Sequence, residues 1–209
     1  MIKLISLLYE SDNVLTTRRT PEERQKNYQK ALEKQKVLVQ KKIADYAANP
    51  KGHLELIGID FDITLPDNLY VDGDLVLRGT KITKLPKGLK VNASIWLGNT
   101  KLKEIPADIE IGWALSLNLC KDVLQLPDGL NIPSSLYLEW SGITELPNNL
   151  TVNGSLYAEH TKVKGIGKNL KVEDDLRLDD TPLSKQYNTS QIEDMIRERG
   201  GSVGGSIYR

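Results

Sequence analysis

The chain has 209 residues, of which 39% are hydrophobic and 27% are charged, and its formal net charge is zero. This composition is that of a folded chain rather than a disordered one, and the lack of excess Lys and Arg argues against nucleic acid as the main partner. The longest apolar runs are too short to span a bilayer, and the single cysteine, Cys120, excludes an internal disulfide and a cysteine-rich metal site.

Residues 1–19 are predicted to be an amino-terminal arm or a targeting peptide. Met1–Glu10 is a short apolar peptide followed by the polar Ser11–Asn13. It is too short for a secretory signal and lacks a small-residue cleavage site. Two interpretations stay open: a strand or arm that packs on the following helix, or a targeting peptide of another kind.

Residues 20–52 are predicted to form a helical cap. Thr20, Pro21 and Glu23 make a capping box with proline at the first helical position, and the helix is expected to end near Ala48. One apolar stripe follows its length: Tyr28, Leu32, Val39, Ile43 and Tyr46. Because a solenoid needs its open end covered, we expect this helix to pack on the first coil. A partner-binding or membrane-surface helix is the alternative.

Residues 53–185 contain a repeat with the pattern L-P-x-x-L-x-V-x-G-x-L-x-L-x-x-T-x-I-x-x and a period of 20 residues, apart from one copy of 21. Copies open at Leu65, Leu85, Ile105, Leu126, Leu146 and Ile166. A fixed period of this length indicates a solenoid. The alternating apolar residues predict two short strands in each coil, stacked in parallel about 4.8 Å apart. We expect a bend at Gly73 and its counterparts, another at each Leu-Pro pair, and an irregular first coil over 53–64.

A column of small polar residues is predicted to face inward. Its members are Thr80, Thr100, Cys120, Ser141, Thr161 and Thr181. Short side chains that bond to the backbone of the next turn would explain the column. Cys120 is then a structural substitute for threonine rather than a nucleophile.

Residues 186–209 are predicted to be a carboxyl-terminal cap. Ser190 and Glu193 form a second capping box, which opens a helix of about ten residues closed by Gly200-Gly201. Ser202–Arg209 can then add a last strand and protect an open sheet edge. The predicted fold is therefore mainly β: a parallel β-solenoid of six to seven coils with helices at both ends.

The residue between the two inward leucines of each copy should face outward, and stacking places these residues side by side. They are Val76, Trp96, Ser116, Tyr137, Tyr157 and Arg177. The carboxylates Glu139 and Glu159 follow two positions later, with Trp140 and His160 at the edge beyond. Aromatics are also common in strands, so part of this enrichment is propensity. An aromatic stripe rimmed by carboxylates nevertheless indicates a recognition surface. We predict a binding site made of Val76, Trp96, Tyr137, Tyr157, Arg177, Glu139, Glu159, Trp140 and His160.

No catalytic arrangement stands out in the sequence. The only histidines are His53 and His160, and no Ser-His-Asp order, Cys-His pair or glycine-rich phosphate loop can be assembled. We therefore expect no enzyme activity, no cofactor and no metal site. The acidic segment 174–180 contains Arg177, which we expect to pair locally with Asp175 and Asp179.

The segment L-x-L-x-x-T-x-I, as in Leu75–Ile82, Ile95–Leu102 and Leu156–Val163, resembles the core of leucine-rich repeats, with Thr where those usually have Asn or Cys. Its Leu-Pro corner is similar to the short leucine-rich repeats of bacterial secreted effectors. The inserted L-x-V-x-G looks like a second strand. A right-handed two-sheet β-solenoid and a curved horseshoe therefore both remain possible.

The whole pattern over residues 54–209, including the ending at Thr181–Lys185 and Gly200–Tyr208, resembles repeat proteins of tailed bacteriophages. That resemblance implies a phage origin, a binding or structural role, and a location in the virion or the host cytoplasm. It implies no common activity. Leu8-Tyr9-Glu10 also resembles the Leu/Ile-x-Glu site cut by prohead proteases of T-even-like phages, which makes Glu10 a possible processing site.

Three functional hypotheses follow. The first is a non-enzymatic interaction module whose aromatic sheet face binds a host or virion protein. The second is a structural or internal head protein of the virion, delivered by residues 1–10. The third is a glycan-binding or glycan-cleaving β-solenoid, for which Glu139 and Glu159 on adjacent coils would be the carboxylate pair, although a solvated rim is the simpler interpretation of that pair.

Overall fold

The computed structural model describes residues 20–209, so the predicted arm and the processing site at Glu10 lie outside the described residues. The chain forms a β-solenoid of about six turns, with one helix before it and two near its end. The helices are α1 (Pro21–Ala48), α2 (Pro182–Gln186) and α3 (Thr189–Glu198). The predicted fold class is confirmed.

Two-residue strands stack in parallel along the sides of the coil. The first sheet contains eight of them: β1 (Leu54–Glu55), β3 (Leu75–Val76), β5 (Ile95–Trp96), β7 (Leu115–Ser116), β9 (Leu136–Tyr137), β12 (Leu156–Tyr157), β15 (Leu176–Arg177) and β17 (Ile207–Tyr208). The second side carries β2 (Tyr70–Val71), β4 (Lys90–Val91), β6 (Glu110–Ile111), β8 (Asn131–Ile132), β11 (Thr151–Val152), β14 (Lys171–Val172) and β16 (Ser202–Val203). The Leu-Pro side has one pair, β10 (Glu145–Leu146) and β13 (Gly165–Ile166). Strands on two sides of each complete coil make this a two-sheet solenoid rather than a horseshoe.

The second side is divided where the first is continuous. Its strands form one sheet of three, β2-β4-β6, and one of four, β8-β11-β14-β16. In the other coils a backbone N–H just after the strand donates to the preceding coil, as Asn92 does to Val71 and Asn153 to Ile132. Pro133 occupies this place after β8 and has no N–H to donate. The preceding copy is also one residue longer than the others, at Lys121–Asp122 between β7 and β8, and the ladder is interrupted here.

The coil turns at three places, two of which the sequence predicted. The backbone bends between the two strands of a coil at Asp72 and Gly73, as expected, and it turns just after each Leu-Pro pair, where Asn68 has a φ of 56°. The third corner, just before the hydroxyl column, was not predicted, and its residues have positive φ, for example Asn99 (58°). A polar ladder joins successive coils where we expected the bend: Asp74 Oδ1 accepts from the Ser94 N–H at 2.8 Å. The small polar residues of that column were the signal that the sequence analysis did not use.

The interior is one apolar cluster that runs the length of the solenoid. The inward strand residues of both sheets are buried, including Leu156 and Ile132 at 0% exposure. The hydroxyl column is buried as expected, but its bonds differ: Thr80, Thr161 and Thr181 donate to the carbonyl three residues earlier in their own coil, at 2.7–2.8 Å. The Cys120 thiol instead donates across coils to the Leu97 carbonyl at 3.1 Å, and the Thr100 hydroxyl lies 3.3 Å from its sulfur. The hydroxyls of Thr80, Thr161 and Thr181 therefore fix corners rather than joining turns.

Helix α1 covers the open end of the first coil, as predicted. Thr20 and Glu23 form the capping box, and the predicted stripe is half-buried or buried against the core, with Ile43 2% exposed. Tyr46 Oη donates to the Gly52 carbonyl at 2.6 Å and accepts from the Asp72 N–H at 3.2 Å. These bonds hold the end of the helix on the first coil.

The carboxyl-terminal cap has one more helix than predicted. Thr181 of the hydroxyl column caps the short α2, and α3 begins with a box of Asn188 and Gln191 instead of Ser190 and Glu193. Helix α3 buries Ile192 and Ile196 over the core. Beyond it, β16 and β17 extend both sheets, so the final segment adds two strands where we predicted one.

Candidate functional site

The outward column of the first sheet is held in register by the strand ladder. Each member lies directly opposite the next: Glu55, Val76, Trp96, Ser116, Tyr137, Tyr157, Arg177 and Tyr208. The structure therefore brings the predicted column together and adds Glu55 at one end and Tyr208 at the other. Ser202–Tyr208 matches the repeat positions of Lys171–Arg177, which was the available signal for the addition of Tyr208.

The aromatic members of this column form a row of rings. Tyr137 and Tyr157 stack with centroids 4.9 Å apart and an interplanar angle of 5°. Trp96 and Tyr137 belong to coils two apart, yet their rings lean together to 6.2 Å at an angle of 31°. Ser116 of the coil between them is only 4% exposed, because the two rings meet above it. We call Trp96, Tyr137, Tyr157 and Tyr208 the aromatic row.

Arginine guanidinium groups lie within this row. The Arg78 guanidinium lies over Trp96, 4.6 Å from the ring centroid. The Arg177 guanidinium contacts rings on both neighbouring coils, at 5.7 Å from Tyr157 and 4.6 Å from Tyr208. All three distances are within the range of a cation–π interaction. Arg177 is thus a cation layer between two aromatic layers. The remaining predicted residue of the column, Val76, is half-buried and lies next to Trp96 on the preceding coil.

The two predicted carboxylates are not a solvated rim. Glu139 and Glu159 are both half-buried, and each has an Oε2 atom that is shielded from solvent and bonded to none of the described residues. Burial raises the pKa of the Glu139 carboxyl, and the nearby charge of Glu159 raises it further. Burial also raises the pKa of Glu159, while the positive charge of Arg177 opposes that change. Arg177 Nη1 lies 4.0 Å from Glu159 Oε1, so its ion pair is with the preceding coil and not with Asp175 or Asp179 as expected.

A second set of rings lies at the corner beside the aromatic row. Trp140 and His160 stack at 4.0 Å and 18°, and His160 Nδ1 lies 3.3 Å from Asp180 Oδ2. Trp140, His160 and Leu119 all adopt positive φ, at positions where other coils have Gly79 or Asn99. A left-handed conformation costs a bulky residue about 1–3 kcal/mol. The exposed Leu119 and Trp140 side chains therefore occupy places that the fold alone would give to glycine or asparagine.

The outer face of the second sheet is different in character. Its outward strand residues are Tyr70, Lys90, Glu110, Asn131, Thr151, Lys171 and Ser202. Lys90 Nζ and Glu110 Oε1 form an exposed ion pair at 2.7 Å. This face is polar along its length and has no stacked rings among the residues that the structure describes.

The remaining side chains that could act as nucleophiles or metal ligands are either buried or far from one another. Cys120 is buried, and burial raises the pKa of its thiol. The thiol donates to the Leu97 carbonyl and lies 3.3 Å from the Thr100 hydroxyl. Within residues 20–209, no three His, Cys, Asp or Glu side chains are grouped so that they could hold a metal ion. None of the helices in the described part of the chain has the length and apolar character needed to cross a membrane.

Comparison with known proteins adds no relative. The chain matches no protein-family model, no curated protein and no solved structure.

Proposed function

We propose that this protein is a non-enzymatic interaction module that binds a protein partner through the outer face of its first sheet. The observation that carries the proposal is the aromatic row, in which Trp96, Tyr137 and Tyr157 form consecutive ring contacts at 4.9 and 6.2 Å on an otherwise regular scaffold. Aromatic and arginine side chains are the groups that dominate protein interfaces. Here they are displayed together on one face.

The second sheet supports this proposal as an internal control. Four of the eight outward strand positions of the first sheet are aromatic, whereas one of the seven on the second side is. Both sets have strands of two residues with one aliphatic residue inward, Leu or Ile in the first sheet and Val or Ile in the second, so strand propensity would enrich both alike. The difference therefore reflects what the first face is used for.

The residues around the row support a specific surface rather than a merely apolar one. Half-buried carboxylates with shielded, unbonded oxygens cost stability, because their burial is not compensated by hydrogen bonds. Exposed side chains at left-handed corners, Leu119 and Trp140, cost stability as well. Features that weaken a fold are expected where a surface serves binding.

A paired capture experiment tests the proposal. The resemblance to phage repeat proteins makes lysate of bacteria during phage infection the first source of partners. Tagged protein, the double variant Trp96→Ala with Tyr137→Ala, and a control variant Lys90→Ala with Glu110→Ala on the second sheet are compared in parallel. We expect a protein that is retained by the parent and the control and lost by the aromatic variant, and direct binding after both partners are purified.

Circular dichroism spectra of the three proteins must agree, so that loss of binding is not loss of fold. A partner that the aromatic variant still binds with unchanged affinity would contradict the proposal. A partner lost only by the Lys90 and Glu110 variant would move the interface to the second sheet.

A further inference from the structure

One layer of the aromatic row lacks a large side chain. In the first sheet, the layer of Ser116 lies between those of Trp96 and Tyr137. Coils are about 4.8 Å apart, so the backbones of these two flanking strands are separated by about 9.6 Å. The rings close part of that space by leaning together to 6.2 Å over Ser116. The column beside it is also open, because Gly98 has no side chain and a Cβ added there would make only ordinary contacts.

The same row contains a filled version of this layer. Arg177 lies between Tyr157 and Tyr208, one coil on either side, with its guanidinium 5.7 and 4.6 Å from the two ring centroids. Glu159 on the neighbouring coil supplies a carboxylate at 4.0 Å. This solenoid can therefore hold a planar cation between two aromatic rings, with a carboxylate from an adjacent strand beside it.

The Ser116 layer has every part of that arrangement except the cation. Trp96 and Tyr137 are its walls, and Glu139, on the coil of Tyr137, has the shielded Oε2 without a bond to any described residue. Asn118 of the same coil adds an amide oxygen, which lies 3.3 Å from Ser116 Oγ. The walls need to part by only about 1 Å, since a planar group in contact with both rings requires about 7 Å between them.

We propose that the Ser116 layer is a subsite for the guanidinium group of an arginine from the protein partner, held between Trp96 and Tyr137 and bonded by Glu139. This subsite rests on the proposed function, because it identifies the chemistry that the partner presents. Arginine fits better than lysine because its planar guanidinium stacks on rings, is weakly hydrated and can bind a carboxylate through two N–H groups. A negatively charged or purely apolar segment would leave Glu139 buried and unpaired.

Binding of a short peptide tests the subsite without the partner. The probe is the tripeptide acetyl-Gly-Arg-Gly-amide, and its control is the citrulline peptide, which has the same shape without the charge. The readout is the indole N–H signal of Trp96 in a ¹H–¹⁵N NMR spectrum, assigned with Trp96→Phe. We expect a saturable shift with a dissociation constant of about 1–10 mM for the arginine peptide, and none for the citrulline peptide.

Two variants test whether the arginine peptide binds in the Ser116 layer. Glu139→Gln removes the charge and is expected to weaken binding of the arginine peptide by about tenfold or more. Ser116→Arg fills the layer from within, as Arg177 fills its own, and is expected to abolish binding while raising the melting temperature. Its matched control is Thr151→Arg on the second sheet, which should bind the peptide as the parent does.

The outcomes distinguish failure of the arginine subsite from failure of the proposed protein-binding face. Equal shifts with the arginine and citrulline peptides would overturn the subsite, and so would a Ser116→Arg protein with a lowered melting temperature. If Ser116→Arg still captures the partner with parental affinity while Trp96→Ala with Tyr137→Ala does not, the subsite is wrong and the interaction face stands. Capture that survives the aromatic double variant overturns the proposed function instead.

Discussion

The two outer faces of this solenoid share one core and differ in almost everything they show to solvent. Strands of both sheets are two residues long, with one residue inward, and the inward residues are Leu, Ile and Val throughout. Outward, the first sheet stacks Trp96, Tyr137 and Tyr157, and the second presents separate polar groups such as the Lys90–Glu110 pair. The constraint of the repeat therefore acts on the interior, and the exterior is free to differ.

This difference shows which outward residues require an explanation beyond the fold. The outward residues of the second face are of the kinds expected on a solvent-exposed strand. Glu139 and Glu159 on the first face do not fit that expectation, because both are half-buried and burial raises the pKa of both. The two faces can be compared directly by substitution, because each position on one has a counterpart on the other.

The largest effects are expected inside, and they should be equal for the two faces. Leu156→Ala, under the first sheet, and Ile132→Ala, under the second, each remove a side chain that is 0% exposed. Each is expected to lower the free energy of unfolding by about 2–5 kcal/mol, measured by urea denaturation. A large loss for one and a negligible loss for the other would mean that the two sheets do not share one core.

Outward substitutions should separate the faces. Tyr157→Leu keeps apolar area but removes the ring stacked at 4.9 Å on Tyr137, so we expect a loss of about 0.5–1.5 kcal/mol. The matched change on the second sheet, Thr151→Val, should stay within about 0.5 kcal/mol of the parent. Equal effects in urea denaturation would show that the rings contribute no more than an ordinary strand residue.

Neutralising a carboxylate should stabilise the protein on the first face and destabilise it on the second. The folded state raises the pKa of Glu139, so ionisation penalises folding: the penalty is absent below the ordinary value of about 4.3, grows as pH rises to the folded pKa, and is complete above it. Glu139→Gln should therefore raise the melting temperature at pH 7 and leave it unchanged at about pH 3. Glu110→Gln should instead cost about 0.5 kcal/mol at pH 7 by removing the exposed pair with Lys90.

Calorimetric scans of both variants between pH 3 and 8 check this prediction, and the Glu110 effect should vanish in about 1 M salt. A lower melting temperature for Glu139→Gln at neutral pH would mean that its carboxylate has a stabilising bond in the folded protein.

The smallest effect is expected where the second sheet is interrupted. Pro133→Asn restores a backbone donor at the position where Asn92 and Asn153 bond to the preceding coil. The new hydrogen bond, about 0.5–1.5 kcal/mol, is offset by the lost rigidity of proline, about 0.4–1 kcal/mol, so stability should change by less than about 1 kcal/mol. Slow hydrogen exchange of the new residue 133 amide is the sensitive measurement. Fast exchange would show that the extra residue at Lys121–Asp122, rather than the proline, keeps these coils apart.

Most of the fold follows from the repeat pattern alone. A 20-residue period with alternating apolar residues predicts the coil, the parallel ladder and the buried columns, because each coil meets only its neighbours. The capping box of Thr20 and Glu23 predicts the start of α1 to the residue. The start of α3 was predicted two residues late. Two residue pairs satisfy the pattern for a capping box, Asn188 with Gln191 and Ser190 with Glu193. Only the packing of Ile192 and Ile196 on the last coil selects between them.

The candidate site was predicted as a column but not as a set of contacts. The period places Trp96, Ser116 and Tyr137 in line, since position in the repeat fixes position on the sheet. It does not reveal that the two rings meet over Ser116, that Glu139 is half-buried, or that Arg177 pairs with Glu159 and lies between two tyrosines. These contacts join side chains of different coils, and their geometry depends on which neighbours are large or small. Local pattern therefore determined the scaffold and the order of residues along it, whereas packing between coils decided which of them contact one another.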